Sequence, residues 1–262
     1  MRREITEFTS EWKPLSELKL KSQNIFNSED ENEYFDRRQT PYEVKAEGDQ
    51  ILWRLNDNLN YLYVEEPKKF TTQFGTFNNY NNGEFHSWLG ANDFPDISET
   101  SNEKYSYPNY EDYLIEGNYC DMFDLGEYSY AVSNLLHMMT GHLKIIRIDK
   151  NINLLILYDN YNHSNLRYLG RWVNDKGIVL IASGYRLFPK PNNSYEHHDT
   201  TMLFQIDELG TCKILKRWNF NLPNVNSIVK VKDYVYVGQN EMITRVKIND
   251  GSRIFFTNKR LK

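Results

Sequence analysis

The sequence predicts an all-β protein built by repeating one unit of short antiparallel strands. After about Gln50, short apolar runs alternate with Asn, Asp and Gly, which is the pattern of strands separated by turns. Few windows longer than ten residues keep the period of an amphipathic helix, and residues 131–139 are the best exception. A short pattern of apolar, polar, Ile, then Asp or Asn also returns three times along the chain. Together these observations favour repeated β-structure over alternating strands and helices.

Residues 1–49 are predicted to be an irregular polar segment, followed by a single β-repeat domain over residues 50–262. Pro14 and Pro41 bracket an acidic run at residues 28–33. No long amphipathic period occurs before Gln50, so we expect at most one short helix, near residues 15–20.

The returning pattern marks equivalent positions in successive units. Its clear copies are Ile146-Arg147-Ile148-Asp149, Phe204-Gln205-Ile206-Asp207 and Val246-Lys247-Ile248-Asn249. The final Asp or Asn is suited to open a turn. Strand-like runs precede the copies at residues 127–132, 178–182 and 234–237, and others follow at 154–158, 212–218 and 253–257. A weaker copy lies at residues 53–57, followed by an apolar run at 59–64.

Three or four antiparallel strands in each unit of about 40 to 50 residues are typical of propeller blades, and the chain has room for roughly five such units. The stretches 226–229 and 233–238 resemble blades of small bacterial β-propellers of the quinoprotein and WD40-like kind. This resemblance covers about half of the chain, Gly126 to Asn258, and lacks the Trp-Asp and Gly-His signatures of WD40 blades. It implies a propeller-like fold. A two-layer β-sandwich is the alternative.

The composition excludes a helical membrane protein, because no apolar run approaches about 20 residues. The start Met1-Arg2-Arg3 is not followed by the apolar region of a signal peptide, so we expect a cytoplasmic protein without membrane partners. Cys120 and Cys212 are far apart and outside any CxxC spacing, so reduced thiols are the simplest expectation.

No catalytic residue, metal ligand or cofactor is predicted. The chain lacks the phosphate-binding, nucleotide-binding, hydrolase-elbow, zinc-protease and calcium-loop motifs. The sharpest local cluster is Glu196-His197-His198-Asp199, within a polar insertion at residues 189–200. Adjacent histidines of an extended chain point to opposite sides, so we expect a solvated loop there, and metal binding by it stays open.

Charge is divided unevenly along the chain. Residues 93–127 contain ten acids and one lysine, a net charge of -9, whereas residues 213–262 have a net charge of +8. The C-terminal bases alternate with apolar residues, as on half-buried strands, so they need no ligand to explain them. With an overall charge of -5, a dedicated nucleic-acid binder is not expected.

The acidic segment is also rich in tyrosine, which makes it the candidate partner-binding surface. Aromatic side chains supply rigid contact area, and carboxylates steer a basic partner. The residues assigned to this surface are Tyr105, Tyr107, Tyr110, Glu111, Asp112, Tyr113 and Trp88.

The function predicted from this surface is a non-catalytic inhibitor or immunity protein that blocks a basic toxin. One alternative is a carbohydrate-binding propeller that uses Trp88, Tyr80 and nearby Asn residues. Another is a metal-dependent hydrolase with His and acids at a central opening. The simplest alternative is a solvated connection whose tyrosines fill the core between units.

Overall fold

The computed structural model describes residues 11–21, 42–55, 68–81, 87–91, 113–137, 140–160, 164–191, 195–240 and 242–257. Within these residues the regular structure consists of β-strands, apart from one 3-10 turn, η1 (Leu15–Glu17). The predicted all-β fold is therefore confirmed. The described part contains no helix long and apolar enough to cross a bilayer.

The compact unit Tyr63–Asn221 contains three four-stranded antiparallel sheets, each ordered as its strands follow in the chain. The first is formed by β5 (Lys68–Thr72), β6 (Gly75–Asn81), β7 (Ser87–Ala91) and β8 (Tyr113–Glu116). The second is formed by β9 (Tyr119–Leu125), β10 (Tyr128–His137), β11 (Thr140–Ile148) and β12 (Leu154–Asp159). The third is formed by β13 (Ser164–Asn174), β14 (Gly177–Pro189), β15 (Tyr195–Ile206) and β16 (Cys212–Trp218).

The second unit combines Met1–Leu62 with Leu222–Lys262 and contains two sheets. One is the meander β17 (Val225–Val231), β18 (Tyr234–Gln239), β19 (Ile243–Lys247) and β20 (Arg253–Thr257), to which β2 (Lys19–Lys21) adds a fifth strand beside β20. The other has the order β1 (Lys13–Pro14), β4 (Gln50–Leu55), β3 (Tyr42–Glu47). Residues 1–49 thus contribute strands to both sheets, although their composition predicts an irregular segment.

The repeated pattern occupies the third strand of three meanders. Ile148 and Ile206 end β11 and β15, and Lys247 ends β19. The strands predicted after each copy are β12, β16 and β20. The described residues therefore form five separate antiparallel sheets, three in one unit and two in the other.

Two of the three pattern copies open their turns in the same way. The backbone N–H of Asp149 donates to the carbonyl of Asn153, and that of Asp207 donates to the carbonyl of Thr211, both at 3.1 Å. The carboxylates of both aspartates then accept backbone N–H groups inside the turn. In the third copy the residue whose carboxylate accepts a backbone N–H in the turn is Asp250 and not Asn249. Asp250 accepts the N–H of Ser252 at 2.8 Å.

The helix-like window at residues 131–139 falls in strand β10 up to His137. Tyr130 and Val132 belong to the core that packs the second sheet against the third, whereas Ala131 belongs to the core shared with the first sheet. All three are fully buried. Because both faces of β10 are covered, its apolar residues do not alternate, and the two-residue period of a strand is hidden.

Candidate functional site

Two of the predicted partner-binding residues, Trp88 and Tyr113, lie in the strands before and after the connection between β7 and β8. Residues 92–112 join these two strands, and both strands lie side by side in the first sheet. Trp88 lies in β7, and Tyr113 is the first residue of β8. The other five predicted residues, Tyr105, Tyr107, Tyr110, Glu111 and Asp112, lie outside the described residues.

Strand register brings Trp88 next to residues that are distant in sequence. Trp88 is opposite Tyr80 of β6 on one side and opposite Glu116 of β8 on the other. Two residues further along β7, Gly90 is opposite Tyr113. The structure therefore places two of the predicted residues, together with Tyr80 and Glu116, on three neighbouring strands.

The first sheet is held in place from its other face. Phe77 and Leu89 are buried in a core shared with the second sheet. The Asn79 side chain bridges to the turn between β8 and β9: its amide donates to Asn118 Oδ1 at 3.0 Å, and its oxygen accepts the Tyr119 N–H at 2.8 Å. These contacts connect β6 to the turn between β8 and β9.

Two acids at the C-terminal end of the acidic segment have structural partners. Asp121 accepts hydrogen bonds from the Tyr168 hydroxyl and from Arg171 Nε, the latter at 2.8 Å. Asp124 accepts the Gln73 backbone N–H at 2.9 Å and the Ser129 hydroxyl at 2.6 Å. These carboxylates join neighbouring sheets. They are therefore less available to a partner than their sequence position indicates.

Asp121 lies in a cluster that sequence spacing does not reveal. Burial raises the pKa of Tyr168 well above its ordinary value, and the negative charge of Asp121 raises it further. The Arg171 guanidinium also lies over the Phe123 ring, 4.7 Å from its centroid. The cluster combines residues about 50 positions apart, and no motif could have pointed to it.

The predicted polar loop with two histidines is instead an arm of two paired strands. His197 and His198 lie in β15 and pair with Leu187 and Arg186 of β14. The His197 ring stacks on Tyr185 with a centroid separation of 4.7 Å, and His198 Nε2 lies 3.1 Å from a Glu196 oxygen. The described residues contain no group of three or more His, Cys, Asp or Glu side chains placed to hold a metal ion.

Several bases of the C-terminal sheet lie over aromatic rings. The Arg245 guanidinium is 4.7 Å from the centroid of the Tyr234 ring, and that of Arg253 is 5.6 Å from the centroid of Phe255. Lys232 and Lys247 form ion pairs with Asp49 and Asp250. Four bases of this sheet therefore have an aromatic ring or an acidic side chain as a neighbour.

Both cysteines are free thiols. Burial raises the pKa of Cys212 to about 11, and the nearby charge of Asp207 acts in the same direction. A thiol with such a pKa remains protonated near neutral pH and is a poor nucleophile. Cys120 Sγ donates to the carbonyl of Val132 at 3.3 Å.

Comparison with known proteins identifies no family. No protein-family model matches the chain, and no curated protein matches it. Among solved structures, a proposed glycoside hydrolase from Parabacteroides distasonis ATCC 8503 aligns over 86% of this chain and 88% of its own, with 9% identity and a TM-score of 0.21. At that score the alignment supports no inference about fold or function.

Proposed function

We propose that this protein is a non-catalytic binding module that inhibits a basic protein partner, most concretely an immunity protein that covers the active site of a toxin. The observation that carries the proposal concerns the two strands that residues 92–112 connect. Strand β7 ends at Ala91, β8 begins at Tyr113, and these two strands pair with each other in one sheet. A connection of about 20 residues between adjacent antiparallel strands far exceeds the usual two to five, and such connections are often functional.

The charge of this stretch suits a basic target. Residues 92–112 contain six acids and one lysine. Asp121 and Asp124, which come later in the sequence, are engaged by hydrogen bonds inside the fold, so we assign binding of the partner to the acids of residues 92–112. Surfaces that bind nucleic acid must be basic, and a nuclease toxin is therefore a fitting target.

Aromatic and acidic residues have separate roles in this proposal. Tyr105, Tyr107 and Tyr110 supply contact area and slow dissociation, because aromatic anchors provide much of the energy of binding interfaces. Glu111 and Asp112 accelerate association through long-range attraction. We place this action in the cytoplasm, where the free thiols of Cys120 and Cys212 are stable.

Charge reversal tests the proposal. The wild-type protein should capture one basic partner from native lysate at low salt and lose it as salt rises. The variant Glu111→Lys with Asp112→Lys should associate with that purified partner about tenfold more slowly at low salt, with little change in dissociation rate. Surface plasmon resonance measures both rates. The purified protein should also abolish the partner's enzymatic activity.

The matched control is Asp175→Lys with Glu208→Lys, which changes the net charge equally at two exposed turn residues of the third sheet. It should leave the association rate close to that of the wild type. If both double variants slowed association equally, the effect would be due to the net charge of the protein and not to residues 92–112. Unchanged kinetics of the Glu111 and Asp112 variant would contradict an electrostatic role for residues 92–112.

One observation also favours a second candidate, a carbohydrate-binding module. Tyr80 and Trp88 are direct register partners on β6 and β7, and Glu116 follows on β8. Aromatic side chains can stack on sugar rings and carboxylates can bond sugar hydroxyls, and these three residues occupy neighbouring register positions. A glycan screen that measures tryptophan fluorescence distinguishes the two candidates. Quenching by a glycan that is lost in Trp88→Phe, together with no capture of a basic protein, would favour the carbohydrate-binding module.

A further inference from the structure

The third sheet has an exposed strand edge where its outer strand ends. Strand β15 pairs with β14 along its whole length, from Tyr195 to Ile206. The outer strand β16 pairs with β15 only from Thr201 onward, opposite Trp218. Among the described residues, residues 195–199 therefore have a strand on one side only. All of them are exposed, and they form the free edge of β15.

The chain that follows β16 leaves over a face of the sheet and not along the free edge. The carbonyl of Phe220 accepts the hydroxyl of Thr201 at 2.7 Å, and Asn221 Oδ1 accepts that of Ser183 at 3.1 Å. Ser183 and Thr201 are register partners, so their side chains point to the same face. The contacts of residues 220–221 are therefore on that face.

Other outer strands differ from the free edge in regularity or cover. Strands β12 and β16 each contain a register shift, and β16 also carries the bases Lys213, Lys216 and Arg217. Bulges and bases both discourage pairing with a further strand. Strand β20 is already paired with β2. The pairing of β15 with β14 continues without a shift to Tyr195, so the free edge is regular and suited to accept a strand.

The sequence of the free edge is complementary to itself. When two identical antiparallel strands pair around a two-fold axis, opposite residues point to the same face, so their positions differ by an even number. Glu196 and Asp199 therefore cannot lie opposite each other. In the register centred on His197, Glu196 lies opposite His198 of the second copy, twice in the dimer. Tyr195 lies opposite Asp199 in the same register.

The two neighbouring registers fit less well. A pairing centred on His198 would place Tyr195 opposite Thr201, which already has Trp218 of β16 beside it. A pairing centred on Glu196 would place two carboxylates directly opposite each other, which is unfavourable. The register centred on His197 avoids both problems.

We propose that the free edge of β15 binds the free edge of a second copy of this chain, antiparallel and with His197 at the two-fold axis. Within one strand, His198 Nε2 already lies 3.1 Å from a Glu196 oxygen, so an imidazole and a carboxylate are compatible neighbours here. Beyond Arg186 the described part of β14 pairs with β15 alone, and the dimer widens this two-stranded arm to four strands. The dimer uses no residue of the connection 92–112 and is independent of the proposed function.

Sedimentation velocity of the purified protein tests the dimer. Because the interface is small, we expect reversible association with a Kd of about 10–100 μM. The weight-average sedimentation coefficient should therefore rise from that of a monomer to that of a dimer between about 1 μM and about 1 mM. A protein that stays monomeric at the highest concentration would overturn the proposal and leave the free edge to a strand of another protein.

Exchange of charges tests which residues lie opposite each other. Glu196→Lys and His198→Glu should each raise the Kd about tenfold, because each replaces a favourable pair twice in the dimer. An equimolar mixture of the two variants should associate at least as tightly as the wild type, because the introduced lysine then lies opposite the introduced glutamate. A mixture as weak as its components would contradict this register.

The matched controls are Glu208→Lys and Leu209→Glu. They introduce the same changes of charge in the exposed turn between β15 and β16. Each should leave the Kd unchanged, and their mixture should gain nothing. Equal weakening by these controls would show an effect of net charge and not of the free edge.

A disulfide across the two-fold axis tests the register directly. In His197→Cys the two introduced thiols lie opposite each other, with Cβ atoms about 4.5–5.5 Å apart, close to disulfide distance. Mild oxidation should therefore give a covalent dimer on a non-reducing gel. Tyr195→Cys, whose opposite residue is Asp199, should give no more than the wild type with its own Cys120 and Cys212. Equal cross-linking in both variants would exclude the proposed register.

Discussion

At the scale of single residues, buried hydroxyl groups differ in whether they have a partner. Tyr168, which links β13 to β9, donates its hydroxyl to Asp121. Tyr130 is fully buried in the same unit, and its hydroxyl has no hydrogen-bond partner among the described residues. Burial raises the pKa of Tyr130 to about 12, and it also raises that of Tyr168. The two hydroxyl groups therefore affect stability in opposite ways, although both aromatic rings pack in the core.

We expect Tyr168→Phe to lower the free energy of unfolding by about 1–2 kcal/mol, because the hydrogen bond to a charged acceptor is lost. Tyr130→Phe should leave stability unchanged or raise it, because it removes a polar atom without a described partner. Urea unfolding at neutral pH measures both. A greater loss for Tyr130→Phe than for Tyr168→Phe would show that the unpartnered hydroxyl matters more than the bonded one.

The same pair predicts how stability depends on alkaline pH. Because the pKa of each phenol is higher in the folded protein, its contribution is complete below about pH 10, the ordinary pKa. It declines as pH rises further, since only the unfolded chain then releases the proton. Wild-type stability should therefore fall above about pH 10, and both Phe variants should fall less steeply. Parallel curves for all three proteins would contradict this.

At the scale of elements, hairpin geometry and sheet packing together determine whether a turn tolerates a side chain in place of glycine. The hairpins β5–β6 and β13–β14 both have two-residue loops and end at a glycine of positive φ, Gly75 at 124° and Gly177 at 123°. A Cβ on Gly75 would meet nothing within 4 Å, whereas a Cβ on Gly177 would lie 2.2 Å from the carbonyl oxygen of Ile206. The two glycines have the same backbone conformation, but only Gly177 has a neighbouring strand within reach of an added Cβ.

Alanine at these two positions separates backbone strain from steric overlap. Gly75→Ala should cost about 1–2 kcal/mol, the cost of a side chain at positive φ. Gly177→Ala should cost about 1–3 kcal/mol more, because the neighbouring strand must move. Urea midpoints measure the difference. Equal losses of stability in the two variants would mean that β15 moves away from the added methyl group without a measurable loss of stability.

At the scale of the whole molecule, residues near the N-terminus complete sheets formed by the end of the chain. Strand β2 pairs with β20, and Leu18 is buried in a core with Trp53 and Phe256. The carbonyl of Pro14 also accepts the Trp53 indole N–H at 3.1 Å. Composition alone describes residues 1–49 as a polar segment, yet these contacts make part of it a structural component of its unit.

Deletion of residues 1–21 should therefore destabilise the unit of Met1–Leu62 and Leu222–Lys262. It removes two strands and exposes the edge of β20, a site for aggregation. The point variant Leu18→Ala, which removes only a buried side chain, should cost about 2–4 kcal/mol and serves as the comparison. Urea midpoints and light scattering measure both. A deletion variant as stable and soluble as the wild type would refute this account.

The sequence by itself determined the local features of this protein. Apolar runs and turn residues located β12, β16 and β20, because strand propensity and turn chemistry act over a few residues. The repeated pattern likewise located the third strands of three meanders. The polar composition of residues 189–200 was misleading, because the long pairing between β14 and β15 depends on register and not on apolar residues.

Only the tertiary structure decided which distant side chains meet. Register placed Tyr80 and Glu116 on either side of Trp88, and packing between sheets brought Tyr168 to Asp121. Sequence period tells which face of a strand a residue occupies, but not what covers that face, because the covering strand is chosen by long-range pairing and packing.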